Sequence, residues 1–267
     1  MNTRADDGLR GDGFVSRLSR ETLFGRPLEH YDEVDSTQRL AAAAAAKGAS
    51  EGSLFVAEAQ TRGRGRHGHA WQSTAGAGIY ASLILRPTQP VAALPLLTLA
   101  AGLAVADAVA AVSGLEAELR WPNDLLLDGK KFCGLLVESS ADSEHVLYAV
   151  LGFGINIHAV AFPPELQPIA TWLDAHAPHP ISRRELGVAV VHCIEGRYRR
   201  FEAGEHAAIL EEFERRCRLA RNAAVRVGGP DGYTGVTEGL DPAGFLRVRT
   251  RDGSLRLVLS GDVRPLN

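Results

Sequence analysis

Cysteine is scarce in this 267-residue chain, at Cys133, Cys193 and Cys217 only. An odd number, widely spaced and without a CxxC pair, argues against a disulfide framework or a zinc site and points to a reducing, cytoplasmic setting. An excess of positive charge is missing too. The formal net charge is −3, so the chain is not a basic nucleic-acid binder as a whole, and any attraction for phosphate must come from a local cluster. The first residues, MNTRADDGLRGDG, have no apolar stretch of the kind a signal peptide needs. No GxSxG, no metal-spaced histidine pair and no GxxxxGK[ST] occurs, and the nine histidines are scattered. A nucleophile elbow, a zincin-type site and a Walker A loop are therefore not expected.

What is present begins with one long apolar run, LPLLTLAAGLAVADAVAAV at 94–112. It is alanine-rich, carries Asp107 and has no flanking basic anchor, which reads as a helix buried in a core rather than a membrane span. Hydrophobic residues make up 45% of the chain, enough for one large domain and a small appendage.

Along the chain, residues 1–15 read as a loose polar tail and 16–30 as a short lead-in helix. Asp35-Ser36-Thr37 opens an alanine-rich helix closed by Lys47-Gly48. Strands are expected at 53–59, 78–86 and 145–157. A hairpin turns at Asp128-Gly129, with 125–127 entering and 131–138 returning. Residues 159–180 hold five prolines and read as loop. Helical spacing covers 182–204 and 205–218. From Asn222 the pattern becomes short alternating segments between Gly/Asp/Pro turns, a small β-barrel signature of about 45 residues. The expected division is a tail and lead-in helix at 1–29, a main domain at 30–220 and a β-rich domain at 221–267.

Five constellations could carry chemistry. In QTRGRGRHGHAW (60–71), glycines let backbone N–H groups approach an anion and arginines add forked cationic donors; a solvated basic loop or a loose nucleic-acid contact reads equally from composition. RWPND (120–124) is either an ordinary turn or a pair of side chains for a nucleotide or Mg2+. Lys131 beside the hairpin turn is either a solvated edge charge or a functional cation, with Gly134 allowing close packing on its strand. The two glycines of LGFGIN (151–156) suggest either close approach by a ligand or a bulge. DSTQ (35–38) is a sufficient helix cap, and also offers hydroxyls and free N–H groups to a polar ligand.

Taken in order, DSTQ at 35–38, EAQTRGRGRHGHAW at 58–71, RWPNDLLLDGKKFCGLLVES at 120–139 and LGFGIN at 151–156 resemble the biotin protein ligase family. The likeness spans roughly residues 30–267. It implies an α+β catalytic fold of the class II synthetase-like kind, a mixed sheet flanked by helices, followed by a small SH3-like β-barrel. It also implies the ATP-dependent activation of biotin to biotinyl-5'-AMP and transfer to a lysine of a biotin carboxyl carrier protein, with ATP and Mg2+ as cofactors. Too little chain precedes the first motif for a winged helix, so neither DNA binding nor a repressor role is expected. Nor is a membrane partner; a homodimer fits the family.

The resemblance assigns Ser36, Thr37 and Gln60 to the biotin ring. Gly63, Arg64 and Arg66 lie over the adenylate, with Arg66 near its phosphate and Trp71 anchoring the loop. Asn123 and Asp124 serve the nucleotide and the metal. Lys131 sits at the carboxylate–phosphate junction and, with Arg66, is the catalytic candidate. Gly134 and Leu136 line the biotin tail, and Gly154 and Asn156 complete the floor and adenylate side. Against the family pattern, Gln38 stands where Asn is common, His69 where the loop often has a further Arg, and Arg120 where Lys is usual. The Gly-Arg loop is expected to act as a lid, flexible when empty and ordered by a phosphate. The rival readings are a lipoate or octanoate ligase of the same fold, a biotin sensor that does not transfer, and a nucleic-acid-binding module.

Overall fold

The computed structural model describes residues 8–143, 145–229 and 232–266. The chain opens with a five-residue helix α1 (Gly11–Val15), followed by turns and the strand β1 (Leu28–Val34). No helix spans 16–30, contrary to the expectation. Gly25 sits at φ +83° and Pro27 follows two residues on, and neither is compatible with a continuing helix. The stretch before it is not a loose tail either: Leu9, Phe14, Leu18 and Phe24 are all buried. Leu9 and Phe14 press so closely on Gly187 that a Cβ there would lie 2.9 Å from the Phe14 ring. Residues 1–7 of the expected tail lie outside the described residues.

After β1 come α2 (Thr37–Ala46), β2 (Leu54–Gln60), β3 (Gly78–Leu85) and α3 (Leu94–Ser113). They are followed by β4 (Glu118–Arg120), β5 (Asp124–Leu127), β6 (Lys130–Ala141), β7 (Val146–Asn156), α4 (Arg183–Glu202) and α5 (His206–Arg216). The seven strands form one sheet in the order β1-β2-β3-β7-β6-β5-β4. Only β1 and β2 run parallel; the other neighbours are antiparallel, so the sheet is mixed.

Alternation along the strands gives the sheet two apolar faces. One takes α2, whose Ala41 and Ala45 pack on Phe55, Ile84 and Val150; alanine has no bulk to hold the helix away. The other takes the larger core, built from Leu54, Val56, Leu83 and Leu135 of the sheet with the buried side of α3 and Val190, Ile194 and Phe213 of the last two helices. Helix α3 is the long apolar run, and it is buried along most of its length, capped by Gly114 at φ +71°. Ser182 caps α4 by accepting from the Glu185 N–H at 3.2 Å. Asp128 and Gly129 turn the β5–β6 hairpin with φ of 48° and 74°, the left-handed pair a type I′ turn requires.

The β-rich tail forms a second, antiparallel sheet of β8 (Arg221–Val227), β9 (Tyr233–Leu240), β10 (Leu246–Thr250), β11 (Leu255–Val258) and β12 (Val263–Pro265), in the order β11-β10-β9-β8-β12. It is fastened to the first sheet at the site's edge: the Trp121 indole N–H donates to the Gly244 carbonyl at 2.9 Å.

Candidate active site

A cavity of about 380 Å3 runs across the open end of the large sheet. One end is polar. Here α2 begins against the ends of β2 and β3, and the amide of Thr37 donates to Gln60 Oε1 at 2.9 Å. The Thr37 hydroxyl lies 3.1 Å from the same oxygen and 2.9 Å from Ser82 Oγ. Ser82 donates to Gln38 Oε1 at 3.1 Å, and Gln38 Nε2 donates to the Val150 carbonyl at 3.1 Å. Gln60 Nε2 donates to Ser73 Oγ at 2.8 Å. In this closed web the Ser36 hydroxyl stands apart: it is buried and has no hydrogen-bond partner among the described residues. Leaving such a group unpaired is unfavourable by about 1–3 kcal/mol, so the hydroxyl has hydrogen-bonding capacity to offer into the cavity.

The middle of the cleft is narrowed by three glycines. Gly134 of β6 pairs with Gly154 of β7, and Leu136 with Gly152. The ladder is regular on both sides of β7 at these residues, so no bulge explains the glycines. Their role is close approach. A Cβ at Gly154 would lie 2.4 Å from the Trp71 indole, one at Gly134 2.9 Å from the same ring, and one at Gly152 2.4 Å from Gln38 Oε1. Trp71 therefore packs against both strands, and its buried Nε1 has no hydrogen-bond partner among the described residues.

The other end is charged. Lys131 Nζ is 2.6 Å from Asp124 Oδ1 and 5.4 Å from the centre of the Trp71 ring. Two-thirds of the lysine side chain is shielded, which does not suit a solvated edge charge. Arg66 donates to Asn123 Oδ1 at 3.2 Å, and Asn123 Nδ2 to the Leu135 carbonyl at 2.8 Å. Burial lowers the Arg66 pKa, with nearby Asp124 acting the other way. A guanidinium stays charged under any such shift; the direction marks it as a cation short of solvation. Arg64 forks onto Glu138 at 3.0 and 3.3 Å.

The loop that carries these arginines is a small hairpin. Gly65 N–H donates to the His69 carbonyl at 2.7 Å and Trp71 N–H to that of Gly63 at 2.9 Å. His67 and Gly68 reverse the chain at φ 54° and 78°. The loop therefore has internal structure, and the Arg64–Glu138 and Arg66–Asn123 contacts hold it to β6 and to the 121–123 turn.

Of the residues singled out from sequence, Ser36, Thr37, Gln60, Arg64, Arg66, Trp71, Asn123, Asp124, Lys131, Gly134, Leu136 and Gly154 all line this cavity. Gly63 and Asn156 do not. Gly63 sits beneath the Trp71 carbonyl, where a Cβ would come within 2.4 Å. Asn156 turns away to donate to the Thr171 carbonyl at 3.1 Å. Gly152, one of the two glycines of LGFGIN, lines it as well, whereas Ser82 and the stretch 261–264 line it without having been singled out from the sequence. Ser82 had a signal, as a lone hydroxyl in the otherwise apolar strand GIYASLIL; residues 261–264 had none, because a distant segment brings them in. Among the described residues no cluster of three or more His, Cys, Asp or Glu could cage a metal. Asp124 is a single carboxylate, which suits a magnesium ion that arrives held by phosphates.

Sequence comparison bears on this geometry. Residues 32–156 match the Biotin/lipoate A/B protein ligase family, and residues 222–264 the Biotin protein ligase C terminal domain. A bifunctional ligase/repressor of Bacillus spizizenii is 36% identical over 244 residues, covering 90% of this chain and 74% of its own. The chain belongs to the biotin protein ligase family. A second member, the biotin–[acetyl-CoA-carboxylase] ligase of Mycobacterium tuberculosis, is 34% identical over 92% of this chain and 94% of its own. Among solved structures, the biotin protein ligase of Aquifex aeolicus in complex with biotin and ATP superposes with a TM-score of 0.77 at 30% identity, covering 90% of this chain and all of that one. The fold is thus the biotin ligase fold, and the second sheet is its SH3-like C-terminal domain.

Proposed function

We infer that this protein is an ATP-dependent biotin protein ligase that joins biotin to a lysine of a biotin carboxyl carrier domain. The observation that carries this reading is a single cleft with a polar end, a glycine-narrowed middle and a cationic end, in a chain of this family. The polar end separates biotin from lipoate or octanoate. A ureido ring offers both N–H and C=O groups to Ser36, Thr37 and Gln60, whereas a dithiolane or an alkyl end would leave the Ser36 hydroxyl unpaired.

The chemistry follows from charge. A carboxylate is a poor electrophile, and its oxygen must attack the α-phosphate of MgATP, so two anions meet. Lys131, Arg64 and Arg66 supply positive charge along that end, and they act on charge that develops in the transition state. The phosphorus–oxygen bond to the β-phosphate breaks and pyrophosphate leaves. Asp124 holds Lys131 in place and is the carboxylate nearest that lysine to meet the magnesium brought with the triphosphate. Trp71 roofs the middle of the cleft and keeps water from the mixed anhydride. In the second half-reaction the acceptor amine attacks the acyl carbon, the anhydride C–O bond breaks and AMP leaves. Orientation by the cleft is the chief contribution to that step.

The chain divides functionally at residue 220. Residues 30–220 bind biotin and ATP, and 221–267 form a domain that closes one side of the cleft through residues 261–264. The reading is tested by incubating the protein with biotin, MgATP and a biotin carboxyl carrier domain. The expected result is a biotin-sized mass increase on one carrier lysine, lost in Lys131→Ala. An unmodified carrier with the wild-type protein would overturn it.

A further inference from the structure

Strand β7 ends at Asn156, and its ladder with β6 begins at Cys133, opposite Ile155. Lys131 lies two residues outside that ladder, so on one side its backbone has no strand neighbour from β7. The proline-rich segment takes over there. Lys131 N–H donates to the Ile169 carbonyl at 2.8 Å, and Thr171 N–H donates to the Lys131 carbonyl at 2.9 Å. Residues 169–171 thus extend the sheet by one parallel bridge, centred on Ala170.

A single bridge does not hold an irregular segment in register, so other bonds must fix it. Thr171 is buried, and its carbonyl accepts from Asn156 Nδ2. Its hydroxyl lies 2.9 Å from His176 Nε2. The other nitrogen of that ring, Nδ1, is 3.0 Å from Asp128 Oδ2, in the turn that presents Lys131. One imidazole therefore joins the segment gripping the Lys131 backbone to the hairpin turn three residues before it.

We propose that His176 is a positioning residue for adenylation: it fixes the backbone of Lys131 and so the placement of its ammonium at the cationic end of the cleft. The two arms are unequal. The Asp128 side chain is 87% exposed, so water screens that arm, while the Thr171 arm is part-buried and carries most of the effect. The inference rests on the reading of Lys131 as the cation at the carboxylate–phosphate junction.

The test is single-turnover formation of biotinyl-adenylate from biotin and MgATP on the full chain. His176→Ala is expected to slow it about ten-fold, the loss of roughly one hydrogen bond at the transition state, with the KM for biotin changed less than about two-fold. Thr171→Val should match it, Asp128→Asn should fall short of about two-fold, and His176→Gln, which still reaches Thr171, should recover most of the rate. The deciding measurement is the double variant. If His176 acts through Lys131, adding His176→Ala to Lys131→Ala slows the reaction by less than about two-fold. If the two losses multiply, or His176→Ala alone changes nothing, the assignment of His176 is wrong. If Lys131→Ala itself retains the wild-type rate, it is the reading of Lys131 that fails. A thermal midpoint taken on each variant separates these outcomes from loss of fold, and His176→Gln keeps the test decisive if His176→Ala unfolds.

Discussion

Arg66 and Trp71 do different work on the same ligand. Trp71 fills the volume left by Gly134 and Gly154, so it shapes the cleft. Arg66 is a half-shielded cation whose hydrogen bond, among the described residues, goes to the neutral Asn123 amide rather than to a carboxylate, which leaves its charge for a phosphate. Replacing it should therefore loosen the adenylate more than it perturbs the fold. Arg66→Gly is expected to speed release of biotinyl-adenylate by about 10- to 100-fold, as the loss of a charged hydrogen bond implies. Released adenylate would acylate bystander lysines, read by probing an added non-carrier protein for biotin; labelling at the wild-type level would remove Arg66 from the phosphate. At this scale Lys131 and the paired glycines each had a local explanation, a solvated edge charge or a bulge, and it took the shielding of the lysine and the regular β7 ladder to set it aside. The sequence was silent where the local explanation sufficed. Ser36 caps α2 by position, yet its side chain makes no cap bond, and only the fold reveals that its hydroxyl is free.

Among the elements, the Gly-Arg loop is the one that carries the site's arginines. Its internal bonds make it a hairpin, and among the described residues the side chains of Arg64 and Arg66 hydrogen-bond to the rest of the site through Glu138 and Asn123. Arg64 and Glu138 are partly exposed, at 52% and 36%, so their pair contributes at most about 1 kcal/mol. Such a loop opens easily and closes once a phosphate joins Arg66. Limited proteolysis at the loop arginines is expected to slow at least several-fold when biotin and MgATP are added together; unchanged cleavage at 62–70 would show that the loop is no lid. The other elements were legible wherever period and punctuation agreed, as in the alanine-rich α2, the apolar α3 and the Asp128-Gly129 hairpin. Two were not. The expected lead-in helix gave way to turns and β1, because Gly25 and Pro27 interrupt it and parallel pairing with β2 supplies partners that no local pattern foretells. Residues 169–171 read as loop, and they are strand-like only because β7 stops short of Lys131.

At the scale of the whole molecule, the second sheet is part of the site's architecture rather than an attachment. The Trp121 indole reaches Gly244, and residues 261–264 stand at the cleft's edge. The β-rich texture of this domain was evident from its Gly/Asp/Pro turns, but where it docks depends on contacts across more than a hundred residues and could not be read locally. Helix α3 could be mistaken for a bilayer span by length and composition, and its burial under the sheet accounts for its apolarity. The entire arrangement serves carboxylate adenylation with biotin as the acid. Exchange of labelled pyrophosphate into ATP, measured with the purified protein, MgATP and biotin, lipoate or octanoate in parallel, tests it most directly. The account predicts exchange with biotin alone. Exchange supported by lipoate or octanoate, or by none of the three acids, would contradict it.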